Sequence, residues 1–150
     1  GTIPPVSGGA EEPLSPEHQA AKETIDAGDY DAALAAYQKA LNEKPDDEVA
    51  EQGIAQVSLL KRVSEMDDAQ VRERAAAEQD SVEAQIAVAD LDVVGGHVED
   101  AFKRLVNFIG THFGDDRETA RAHLVELYAV VGVHDPRVNV SRQKLSRVLF

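Results

Sequence analysis

His112, Asp115 and Asp116 stand close together in the sequence, and His123 and His134 follow. Imidazole nitrogens and carboxylate oxygens are ligands of catalytic zinc, so a carboxylate–histidine metal site is conceivable in this segment. The spacing matches no ligand motif, such as two histidines four apart with a glutamate between them. Asp115 is better used as a helix cap and His123 as a residue on a helix face. With no cysteine there is no thiolate nucleophile, no disulfide framework and no cysteine-ligated zinc, which fits a reducing, cytoplasmic setting. The chain also has no glycine-rich phosphate loop and no nucleophile elbow. An enzyme is therefore not expected, and neither is a cofactor, a metal or a small-molecule substrate.

A second cluster lies at the end of the chain. The 150 residues carry a net charge of −13, yet after Asp135 no acid remains, and Arg137, Arg142, Lys144 and Arg147 leave that end at +4 against −17 for residues 1–135. The last residue is Phe150. Basic charge beside an aromatic chain end attracts acidic surfaces and can fill a pocket, so Arg142, Lys144, Arg147 and Phe150 are the expected partner-binding residues. The plainer reading is a capping helix with a polar outer face, its bases favoured by the macrodipole. Truncation after Asp135 is expected to leave the fold largely intact and to abolish partner binding. The acidity elsewhere disfavours nucleic acid, which must be met by clustered Lys and Arg, and points to a solvated surface and a monomer.

Helices must position these residues. Gly28 can take the left-handed conformation that ends one helix, Asp29 can cap the next, and Pro45 cannot continue it. Ala33 and Ala40 are small where two helices cross, and Tyr37 is large enough to fill the gap between neighbouring hairpins. The stretch Gly28 to Leu41, closed by Pro45, resembles the second half of a tetratricopeptide repeat. A shift of two 34-residue periods carries Gly28 onto Gly96, Ala33 onto Ala101, Tyr37 onto Leu105 and Ala40 onto Phe108. One period after Gly28 stands Arg62 instead of glycine, although Ile54-Ala55 and Val88-Ala89 both supply the large-then-small pair of a first helix. The middle repeat is degenerate.

The expected fold is therefore all-α, a tetratricopeptide-repeat-like α-α superhelix of about eight antiparallel helices over residues 16–150, preceded by a flexible Pro/Gly-rich linker over residues 1–15. Caps and breakers place the helices at about 16–27, 29–43, 47–63, 69–77, 81–95, 97–113, 115–131 and 136–149. Asp67-Asp68-Ala69-Gln70, and Asp115 with Glu118, have capping-box spacing. The valines are frequent but recur at helical, not alternating, intervals. At this length the chain is one domain that buries about two-thirds of its unfolded surface. Its apolar runs, such as Tyr128 to Val131, are far shorter than the ~20 residues of a membrane span, and the N-terminus lacks the layout of a signal peptide. No membrane partner is expected.

Three segments, Ile54 to Lys61, Gly96 to Leu105, and Asp135-Pro136-Arg137 through Arg142 to Phe150, together resemble the C-terminal region of YbbN-type chaperedoxins, bacterial thioredoxin-fold proteins with a tetratricopeptide-like helical domain. The resemblance covers residues 16–150. It implies a co-chaperone role with two kinds of partner: partly unfolded client proteins, held against aggregation, and a folding chaperone that receives them. No thioredoxin domain is present in this segment. The start at Gly1 followed by a proline-rich tether reads as linker and helical region cut from a longer protein. A carboxylate clamp of the kind that holds acidic chaperone tails would fall at His18, Lys22, Gly53, Glu83 and Ala87; only Lys22 suits it, so recognition is expected on exposed apolar surface or on the last helix.

Overall fold

A computed structural model describes residues 15–150, which form α1 (Pro16–Asp26), α2 (Tyr30–Glu43), α3 (Glu48–Ser64), α4 (Asp68–Ala77), α5 (Val82–Val94), α6 (Val98–Thr111), α7 (Asp115–Val131) and α8 (Pro136–Leu149). No strand occurs among the described residues. The segment expected to be a linker lies outside them, apart from Ser15, whose hydroxyl caps α1 by accepting from the His18 backbone N–H at 3.2 Å.

The two-period repeat is built into the backbone. Gly28 and Gly96 both adopt left-handed φ, 80° and 87°. After each helix the same pair of bonds closes the turn, Gly28 N–H to Ile25 and Asp29 N–H to Thr24 in one case, Gly96 N–H to Val93 and His97 N–H to Asp92 in the other. The residues in register are buried alike: Ala33 with Ala101, Tyr37 with Leu105, Ala40 with Phe108. Side-chain caps at Asp29, Asp47, Asp67, Ser81 and Asp135 start α2, α3, α4, α5 and α8.

One expected cap does not form. The residue before α7 is Gly114 at φ 74°, and no side chain caps the helix. Asp115 is already the first helical residue, one position too late to reach the amide a cap would satisfy. Asp115, Asp116 and Glu118 instead place negative charge at the positive end of the macrodipole.

α1 and α2 form a hairpin on which α3 stacks, and α5 through α8 form a second run in which α6 packs on α5, α7 and α8. The two runs share α3. Its Ala50 and Val57 join the small cluster of Ala21, Ala33, Tyr37 and Ala40, while its Ala55 and Leu59 join the main core with Leu105, Ile109, Leu124, Leu127 and Val138. The degenerate middle repeat explains this double use. Arg62 cannot make the glycine turn, so α3 runs on to Ser64, and α4 packs against α5 instead of pairing with α3. α4 has no apolar stripe to offer α3, since Ala75 is its one fully buried residue. Freed from α4, α3 lies across α5 and α7.

Candidate functional site

The expected partner-binding residues lie on α8, which is held more firmly than a detachable cap would be. Val138 and Leu145 are buried in the main core, and the hydroxyls of Tyr128 and Ser141 share a buried hydrogen bond of 2.6 Å. Removing α8 would uncover Phe102, Val106 and Tyr128. Truncation after Asp135 is thus a test of folding as much as of binding, contrary to the expectation from sequence.

The four residues do not form one patch. The Arg142 guanidinium lies 5.6 Å from the centre of the Tyr128 ring and donates to the Val133 carbonyl at 3.4 Å, on the α7 side of the helix. Lys144 is on the opposite flank, where it lines a groove of about 220 Å³ between α6 and α8. Arg147 follows Lys144 by one helical turn and shares its side of the helix. Phe150 is fully exposed at the end of the chain.

The groove was not legible as a site because half of it comes from α6. Its floor is the buried pair Phe102 and Val106, and its walls carry Lys103 from α6 with Arg137, Val140 and Lys144 from α8. Arg137, Val140 and Lys144 are spaced three and four apart, so they form one stripe that Arg147 extends. Arg137 is pinned to its own helix cap, donating to both Asp135 oxygens at 3.0 Å, an arrangement that holds the Asp135 carboxyl below the ordinary carboxylate range. Lys103 and Lys144 are in no ion pair among the described residues.

A larger, open groove of about 880 Å³ between α4, α5 and α6 is polar and carries acids and bases together. Arg72 meets Asp92 and Asp68, each at 3.0 Å, Arg104 donates to Gln85 at 2.6 Å, and His112 meets Asp80 at 2.9 Å.

The histidines that made a metal site conceivable are drawn to separate acids: His112 to Asp80, His123 to Asp90 at 2.6 Å, and the exposed His134 to within 3.9 Å of Glu48. Among the described residues no group of three His, Cys, Asp or Glu side chains is placed to hold a metal ion. His123 is more than a residue on a helix face. It belongs to a network in which the buried Asp90 also accepts two bonds from Arg62, which in turn reaches Glu126 at 3.1 Å. Burial pushes the Asp90 carboxyl up, but bonds from His123 and Arg62 outweigh it and hold it below its ordinary value. α3, α5 and α7 are joined there.

The clamp positions do not assemble either. His18 is spent on Asp47, 2.7 Å from Nε2 to Oδ2, and Gly53 lies under the Tyr37 ring. In an open solenoid the first helices of successive hairpins line the inner groove. Here α3 packs against both α5 and α7, held by Gln52 and Gln56, which both donate to the Val130 carbonyl at 3.2 and 3.1 Å.

No helix among the described residues is long and apolar enough to cross a membrane. The chain is similar to uncharacterized proteins of Mycobacterium tuberculosis and Mycobacterium bovis, each 29% identical over 137 residues, a stretch that is 91% of this chain and 45% of the relative. It therefore spans less than half the length of these curated relatives. No solved structure matches it. The tetratricopeptide repeat family matches residues 61–150, the part that contains α4 to α8, and the hairpin of α1 and α2 repeats the geometry of α5 and α6 outside that match. With more than half its length matched, and with the α1–α2 turn repeated two periods later between α5 and α6, this chain belongs to the tetratricopeptide repeat family.

Proposed function

We propose that the chain is the polypeptide-binding arm of a thioredoxin-family co-chaperone, holding client proteins and docking a folding chaperone through the outer surface of α8. Tetratricopeptide repeats generally serve protein–protein interaction and are typically not enzymes. The observation that carries the reading is the placement of the two faces. α3 packs against α5 and α7, whereas α8 exposes Arg142 on one flank, Lys144 and Arg147 on the other, and Phe150 at its end, in a chain of net charge −13. Basic side chains beside an exposed aromatic attract acidic segments that the acidic surface elsewhere repels. The resemblance to chaperedoxins supports clients and a chaperone as the partners.

The test is aggregation of a defined client. Heat-unfolded citrate synthase, followed by light scattering, is expected to aggregate more slowly with the wild-type chain. A chain carrying R142E, K144E, R147E and F150A, with its helicity verified by circular dichroism, is expected to lose most of that protection. Equal protection by both would overturn the assignment to α8.

A further inference from the structure

The groove between α6 and α8 has a more specific chemistry than the helix as a whole. About 220 Å³ is too little for an extended ligand to sink into, but enough for one aliphatic side chain resting on Phe102 and Val106. Around that floor the charge is lopsided. Lys103, Arg137 and Lys144 face a single acid, Glu99, and Arg147 stands one turn beyond. Val140 on the wall is 51% exposed and continues the apolar floor to the surface. The wide groove beside α4 is open and carries acids and bases together, with Arg72 on Asp92 and His112 on Asp80.

We infer that this groove seats an extended acidic peptide whose single aliphatic side chain drops between Phe102, Val106 and Val140 while flanking carboxylates meet Lys103 and Lys144. The inference rests on the reading of α8 as the binding surface and narrows it to one flank. Charge complementarity commits it to an acidic occupant, because the groove is a local positive island on a strongly negative protein. Among the described residues Lys103 and Lys144 are in no ion pair, so they supply most of the electrostatic selectivity, and Arg137, already bridged to Asp135, supplies less.

The probe is a fluorescein-labelled peptide, Asp-Glu-Leu-Asp-Glu, measured by fluorescence anisotropy on the full chain at low salt. Wild type is expected to bind it, and K144E or K103E to weaken binding about tenfold, as rim charges do when reversed next to a like-charged ligand. Replacing the peptide's Leu by Ser is expected to weaken it by about tenfold as well, the loss of one buried aliphatic side chain. K39E, an exposed position on α2 away from α6 and α8, should leave affinity within about twofold. Equal weakening by K39E and K144E would overturn the groove, as would equal binding of Lys-Lys-Leu-Lys-Lys or tighter binding of a single-stranded DNA oligonucleotide. Peptide binding that K144E abolishes while citrate synthase protection stays intact supports the groove and refutes the assignment of client holding to α8. Client protection without peptide binding does the reverse.

Discussion

Arg62 donates two hydrogen bonds to Asp90, Nε to Oδ2 at 2.9 Å and Nη2 to Oδ1 at 3.2 Å, from the position where a turn glycine would stand one repeat period after Gly28. The substitution that breaks the repeat thereby supplies the contact that joins α3 to α5. Removing Asp90 strands a half-buried guanidinium and the His123 imidazole together. D90A is expected to cost about 3 kcal/mol, read from urea denaturation, because a broken buried pair leaves its partners without compensation. A loss below about 0.5 kcal/mol would show that Arg62 turns out to water without penalty.

The same network sets the response to acid. The folded Asp90 carboxyl lies below its ordinary value of about 4, so its contribution is present above that pH and is lost as the pH falls through the depressed folded value. In wild type, stability is expected to fall below about pH 4 more steeply than in D90N, which carries no titrating group there. Parallel curves for the two proteins would remove Asp90 from the account.

Tyr37 and Gly53 make a different kind of joint. A Cβ at Gly53 would collide with the Tyr37 ring, so the two helices α2 and α3 approach as closely as they do only because residue 53 has no side chain. G53A is expected to destabilise the chain by about 1–3 kcal/mol through overpacking, despite the higher helix propensity of alanine. The thermal midpoint should fall, and G53A/Y37A should recover part of the loss relative to Y37A alone. A rise in midpoint for G53A would mean that the ring moves aside freely.

Much of this arrangement was legible from local chemistry. Glycines with left-handed φ, capping aspartates and first-turn prolines act over a few residues, so Gly28, Asp29, Gly96 and Pro136 placed the helix ends to within about two residues. Burial in register followed from the two-period shift. What escaped depends on residues far apart in sequence. The refusal of α4 to pair with α3 follows from its meagre apolar surface, and the α6–α8 groove needs Phe102 beside Val140. Arg117 is another such residue, donating to the carbonyls of Ile109 and Val148 and so tying the start of α7 to the ends of α6 and α8. Arg142 and Lys144 read as one basic cluster only until helical geometry sends them to opposite flanks.

His112 gives a test at neutral pH. Its ring lies flat on Phe108, 3.7 Å between centroids and 5° between planes, with Nδ1 2.9 Å from the Phe108 carbonyl and Nε2 2.9 Å from Asp80. Both of those neighbours accept hydrogen bonds, so the arrangement favours a ring protonated on both nitrogens. Burial pushes its pKa down, but Asp80, the Phe108 carbonyl and Asp116 outweigh that and hold it above the ordinary value. The tie between α6 and the turn before α5 is therefore complete below about pH 6.5 and loosens as pH rises through the folded value. An NMR titration of His112 is expected to give a midpoint above 6.5, with D80N lowering it; a midpoint at or below 6.5 would contradict the geometry.

The central claim is that α8 grips polypeptide. Its most direct measurement is photo-crosslinking to heat-unfolded citrate synthase from chains with p-benzoylphenylalanine at position 140 on α8, 125 on α7 or 49 on α3, all exposed valines in the native chain. Crosslinks concentrated at position 140 are the predicted result. Crosslinks as frequent from positions 49 or 125 would contradict it.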